Sequence, residues 1–129
     1  MSIWTHVAGC IRYDGIFNEP SVESLKELIG PTCSFEDPYE KWEACRVPCG
    51  SEGSVEYKIL TNPEPNQLAR YVMVFWGDLR DYEDLSEIET WFKKISTHER
   101  FPTRNAVVSA KVEGGNELLL SINWEDENG

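Results

Sequence analysis

Basic charge is scarce in this chain: twelve lysines and arginines stand against twenty-three aspartates and glutamates, a formal net charge of −11. A surface of that sign repels phosphate backbones and anionic headgroups, so direct binding to nucleic acid or to an acidic membrane is not expected. Long apolar runs are missing too. None approaches the about 20 residues that a membrane span requires, and the opening Met1-Ser-Ile-Trp-Thr-His6 lacks the basic and then apolar pattern of a secretion signal. The expectation is a cytoplasmic protein. Histidine is limited to His6 and His98, far in sequence from the loosely spaced, Pro48-stiffened Cys45-x3-Cys49 pair, so neither a metal site nor a cofactor is predicted. In a reducing compartment Cys10, Cys33, Cys45 and Cys49 read as buried apolar side chains rather than as two disulfides.

What the chain does have is enough aromatic and aliphatic residues to fold despite its charge, and a length suited to one domain. Residues 1–124 read as a single α+β domain and 125–129 as an acidic tail. The organising stretch is Ala69-Arg-Tyr-Val-Met-Val-Phe-Trp76, apolar on both faces and so a strand with partners on either side. The acidic turn Gly77 to Asp84 follows, then a helix whose Leu85, Ile88, Phe92 and Ile95 form one stripe, with Ser86 and Glu89 as a capping box.

Before this stretch, Ile3 to Tyr13 alternates as a long first strand, with Gly9 permitting close approach of another element. A helix capped by Ser21 carries Val22, Leu25, Leu28 and Ile29 and stops at Gly30-Pro31. Residues 32–53 read as irregular, interrupted by one short helix with Asp37 as cap and Pro38 at its first position. Val55, Tyr57 and Ile59 mark a second strand, joined through the turn Thr61 to Asn66 to the organising strand as a hairpin. After the second long helix, His98, Arg100 and Arg104 are set to pair with the acidic turn or with a second copy. Ala106 to Val112 and Glu117 to Trp124 form a hairpin around Gly114-Gly115, read as a two-residue turn.

The element order is strand, helix, strand, strand, helix, strand plus a hairpin strand. It predicts a ferredoxin-like split βαβ fold, an antiparallel sheet with its helices on one face and its first and third strands central. Trp4, Trp76 and their neighbours then face solvent or a second copy on the other face, a possible route to a homo-oligomer. At Trp4 to Asp14, Val47 to Tyr57 and Gly77 to Tyr82 the chain resembles small uncharacterised acidic proteins of bacteriophages and prophages. That resemblance implies a product acting in the cytoplasm of an infected bacterium, and it transfers no site residues.

Two candidate sites follow. Asp78, Asp81, Glu83, Asp84 and Glu87 crowd the start of the second long helix, more carboxylates than capping needs. They suit a non-enzymatic inhibitor that mimics phosphates toward a host defence or nucleic-acid-handling protein with a basic surface. The alternative is a nucleotide-binding or sequestering loop made of Cys49, Gly50, Ser51, Gly53 and Ser54, whose N–H groups would cradle an anion. Against it, no lysine follows the glycines and Glu52 sits in the middle. A thiol enzyme pairing Cys45 or Cys49 with His6 or His98 ranks third, and no catalytic residue is assigned.

Overall fold

The computed structural model describes residues 2–14, 22–61 and 69–123, the side chains of 69 and 70 excepted. Ser21, the turn 62–66, Trp124 and the tail therefore lie outside the described residues. The chain forms β1 (Trp4–Asp14), α1 (Val22–Ile29), α2 (Tyr39–Ala44), β2 (Cys49–Gly50), β3 (Gly53–Ser54), β4 (Glu56–Thr61), β5 (Ala69–Arg80), α3 (Leu85–Ser96), β6 (Thr103–Val112) and β7 (Glu117–Asn123). The class is α+β. Five strands make one antiparallel sheet in the order β4-β5-β1-β6-β7, and β2 and β3 form a separate two-stranded ribbon.

This order of elements is not the expected ferredoxin-like one. Residues 32–53 hold, besides the short helix α2 expected there, the two ribbon strands β2 and β3, and Ser34 bridges to Gly53. The two strands expected at the centre, β1 and β5, do lie side by side inside the sheet.

Side-chain alternation sorts the sheet into two faces. Val7, Ile11 and Tyr13 of β1, Tyr71, Met73, Phe75 and Leu79 of β5, and Ala106, Val108 and Ala110 of β6 are buried together. Leu25 and Ile29 of α1 and Ile88, Trp91, Phe92 and Ile95 of α3 join the same core, so both helices cover that face. Burial of each large side chain contributes roughly 1.5 to 3 kcal/mol, the main force holding the layers together. Gly9, opposite Phe75 in β1–β5 and opposite Val108 in β1–β6, leaves the space that the Phe75 ring fills.

The other face is wet. Trp76 is 45% exposed, Val107 50% and Leu119 66%, while Val72 and Val74 are half-buried. The organising strand lies between β4 and β1, buried on one face and with Trp76 exposed on the other. It also runs four residues further than expected. Trp4 pairs with Arg80, so Gly77 to Arg80 are strand, and Asp78 lies on the open face rather than in a turn.

Local signals were replaced at three other points. Asp84, not Ser86, caps α3, accepting from the N–H groups of Ser86 and Glu87. Asp37 closes a turn by accepting from the Ser34 N–H, while the N-cap of α2 is Pro38. Between β6 and β7 only Gly114 has positive φ, and Val112 and Asn116 close a longer connection than two residues. Arg104 lies 3.8 Å from Asp14, and Arg100 stacks over Phe101, rather than on the acidic segment of the same chain among the described residues. Among the described residues, no helix is long and apolar enough to cross a membrane.

Candidate functional site

The two sites expected from sequence meet at one corner. The ribbon lies beside the last residues of β5: the Ser51 N–H donates to the Arg80 carbonyl, and its hydroxyl to Asp81 Oδ2 at 2.8 Å. Close backbone contact makes this possible, since a Cβ on Gly50 would sit 2.6 Å from the Arg80 oxygen. Asp81 occupies the left-handed region at φ 56°, a conformation that aspartate tolerates, and its N–H donates to the Ile3 carbonyl.

Arg80 is the cation inside the corner. Its Nη1 donates to Glu52 at 2.9 Å and its Nε to Ser2, with Asp81 3.9 Å away. Glu52 and Asp81 beside it are exposed, as are Glu83, Asp84 and Glu87, which follow in the chain. Asp84 is committed to capping, and the Ser86 hydroxyl and the two N–H groups hold its carboxyl below the usual range. Asp78 stands apart on the open sheet face. Its Oδ1 is 2.6 Å from His6 Nδ1, and Glu113 Oε1 is 2.6 Å from His6 Nε2. The hydrogen bonds to Asp78 and then to Glu113 raise the imidazole's pKa above its ordinary value and engage both of its ring nitrogens.

Of the loop residues, Ser51 and Ser54 have spent their N–H groups on the carbonyls of Arg80 and Cys33, and Gly50 pairs with Gly53 in the ribbon. Ser54 is buried, its hydroxyl bonded to the Cys33 and Val55 carbonyls. An anion cradle in this loop would therefore lack two of the donors it was expected to supply.

Beneath the ribbon lie three thiols that the spacing in sequence did not bring together. The sulfurs of Cys33, Cys45 and Cys49 all lie within 4.8 Å of one another, with Cys33 and Cys49 at 3.2 Å. Each comes from a different piece of chain: the strand-like bridge after α1, the C-cap of α2, and β2. Burial pushes the thiols of Cys33 and Cys49 up, so they are protonated at neutral pH in the metal-free protein and are not activated nucleophiles. Neither imidazole belongs to this cluster: His6 is held by carboxylates, and His98 Nδ1 accepts from the Arg100 N–H. Soft sulfur donors without a base can hold a thiophilic cation but offer no general acid–base chemistry.

Nothing local in the sequence marks Cys33 as the third sulfur; the bond from the Ser54 N–H to the Cys33 carbonyl, between residues distant in the chain, brings it there. A separate depression of about 380 Å³ opens on the wet sheet face, lined by Cys10, Arg12, Asn105, Val107 and Ser121 among others. Comparison with protein-family models, with curated proteins and with solved structures found no match in any of the three.

Proposed function

We propose that this is a non-catalytic binding protein that presents carboxylates to a basic host protein, as a phage product acting in a bacterial cytoplasm. A defence or nucleic-acid-handling protein, whose groove is built for phosphates, is the partner class this chemistry fits. The observation that carries the reading is the run of exposed carboxylates at this corner: Glu52 and Asp81 beside Arg80, then Glu83, Asp84 and Glu87 leading into the first turn of α3. The bacterial setting rests on the resemblance to phage proteins and not on the corner. The carboxylate-held His6 and the lack of any imidazole in the thiol cluster among the described residues favour binding over catalysis.

The corner also decides which carboxylates a test should touch. Asp81 and Asp84 brace the fold, so reversing them confounds binding with folding, whereas Glu83 and Glu87 make no ion pair among the described residues. A host protein retained on the immobilised chain is identified by mass spectrometry, and its affinity is measured at low and high salt. The Glu83→Lys, Glu87→Lys double variant is expected to bind at least about tenfold more weakly, and added salt to weaken the parent complex similarly. An affinity indifferent to both changes overturns the reading.

The nucleotide alternative makes a different forecast: thermal stabilisation by saturating nucleotide. A second reading of the open sheet face is self-association through Leu60, Trp76, Val107 and Leu119, all exposed there. Sedimentation showing a monomer at high protein concentration removes it.

A further inference from the structure

Residues 31–54 form a poor core of their own. Helix α2 is six residues long and buries none of them, and Phe35 and Tyr39 are 69% and 72% exposed. An isolated helix needs roughly 12 to 15 residues to persist in water. What holds the segment is a few backbone hydrogen bonds, Arg46 to Pro31, Ser54 to Cys33 and Val55 to Pro48, and the inward-facing Val47 and Val55. Small segments short of apolar burial are commonly stapled by a disulfide or a metal. At the centre of this one are three sulfurs.

We propose that Cys33, Cys45 and Cys49 form a binding site for a zinc ion that staples the three pieces of residues 31–54 to one another, beside the end of β5. Two thiolates on a tetrahedral zinc, with bonds of about 2.3 Å, stand about 3.8 Å apart. That separation falls between the 3.2 Å of the Cys33–Cys49 pair and the 4.8 Å that bounds all three. The Cys33–Cys49 pair would have to open by about 0.6 Å, and no pair in the cluster would have to close by more than about 1 Å. A disulfide would need the same two sulfurs to close to about 2.05 Å and would leave Cys45 out. Among the described residues the cluster supplies three ligands, so a water would complete the tetrahedron. Each thiol gives its proton to solvent as it binds, so uptake of one zinc releases up to three protons and tightens as pH rises.

The site is independent of the partner reading: the Glu83→Lys, Glu87→Lys variant keeps its zinc if the two are unrelated. The test is made on the full chain, reduced and stripped of metal, then titrated with zinc or cobalt(II). One equivalent of cobalt should give thiolate-to-metal charge transfer and a tetrahedral spectrum. Zinc should slow alkylation of three cysteines by at least about tenfold and leave Cys10, on the open face, as reactive as before. Cys10→Ser should bind zinc unchanged, and Cys45→Ser should lose the tetrahedral spectrum. Should Cys45→Ser fail to fold, the protection pattern in the parent chain still decides. Equal alkylation of all four thiols with and without zinc, cobalt spectra lacking charge transfer, or a Cys33–Cys49 disulfide forming as fast with zinc as without it would each overturn the proposal.

Discussion

Gly9→Ala should be among the most damaging single-methyl additions in this protein. An added Cβ would stand 2.1 Å from Phe75 Cζ, 2.7 Å from its Cε1 and 2.6 Å from the Val107 carbonyl oxygen. Ordinary carbon contacts lie near 3.5 to 4.0 Å, so the ring must retreat by about 1.5 Å. It has nowhere to go: Trp91 meets it edge-on at 5.2 Å and Phe92 at 6.3 Å. Overpacking of this kind costs about 1 to 3 kcal/mol, and the simultaneous backbone clash puts this case at the top of that range. Phe75→Leu alone should cost about 2 kcal/mol through the cavity it leaves. Combined, the two changes relieve each other in part, because the alanine methyl enters space the ring has vacated, while the clash with Val107 persists. A coupling of about 1 to 2 kcal/mol is expected from urea midpoints read by tryptophan fluorescence, with unchanged slopes. Additivity within about 0.5 kcal/mol would refute the claim that Phe75 occupies the space the glycine leaves.

Two further outcomes follow from the capping and ionic contacts. Asp84→Ala removes the acceptor for the Ser86 and Glu87 N–H groups and should lower the melting temperature by a few degrees, whereas Asp84→Asn, an equally good cap, should not. The Asp84 carboxyl is depressed in the folded state, so its contribution is present above its unfolded pKa and lost as pH falls through the folded one; acid melts of Asp84→Asn should show a shallower decline. The pKa of His6 moves the opposite way, raised above 6.5 by Asp78 and then Glu113. Its contribution is full below the ordinary imidazole pKa of about 6.5 and fades as pH rises through the higher folded value, so His6→Gln should flatten the stability change above about pH 6.5. Identical slopes for variant and parent in that window would show that the clamp does not form in solution.

The core was legible because it obeys short periods. Alternation in β1 and β5 and the three-four spacing of Ile88, Phe92 and Ile95 are properties of neighbouring residues, and each of those side chains is buried. Gly9 was legible as a place of close approach, though nothing local identified Phe75 as the group that approaches. Where the reading failed, a partner distant in the chain had decided the outcome. Gly77-Asp-Leu-Arg80 carries turn-forming residues, but Trp4, Thr5, His6 and Val7 supply its ladder and keep it extended. Ser86 and Glu89 satisfy the capping pattern on paper. Asp84 sits two residues earlier, where the chain leaves the Ile3 carbonyl that holds Asp81 and Tyr82, and so it reaches the free N–H groups first.

The corner shows the same limit more sharply, and it explains why one of its parts was visible and the other was not. A run of acids is a local property, so the carboxylates around Asp84 could be read directly, although only contacts with Ser51, Ser86 and His6 reveal which of them are already engaged. A thiol cluster is a nonlocal property. Cys45 and Cys49 are close in sequence, yet two ligands do not make a site, and the third arrives from the far side of α2 through hydrogen bonds between Cys33 and Ser54. Ser54 belongs to the loop that was read as an anion cradle. Its hydroxyl and N–H, the groups that would have served a phosphate, instead tie Cys33 into place beside Cys49. The glycines and serines of that loop are thus accounted for by close packing on Arg80 and by alignment of the sulfurs, which moves the chemical interest of the loop from its backbone donors to the thiols beneath it.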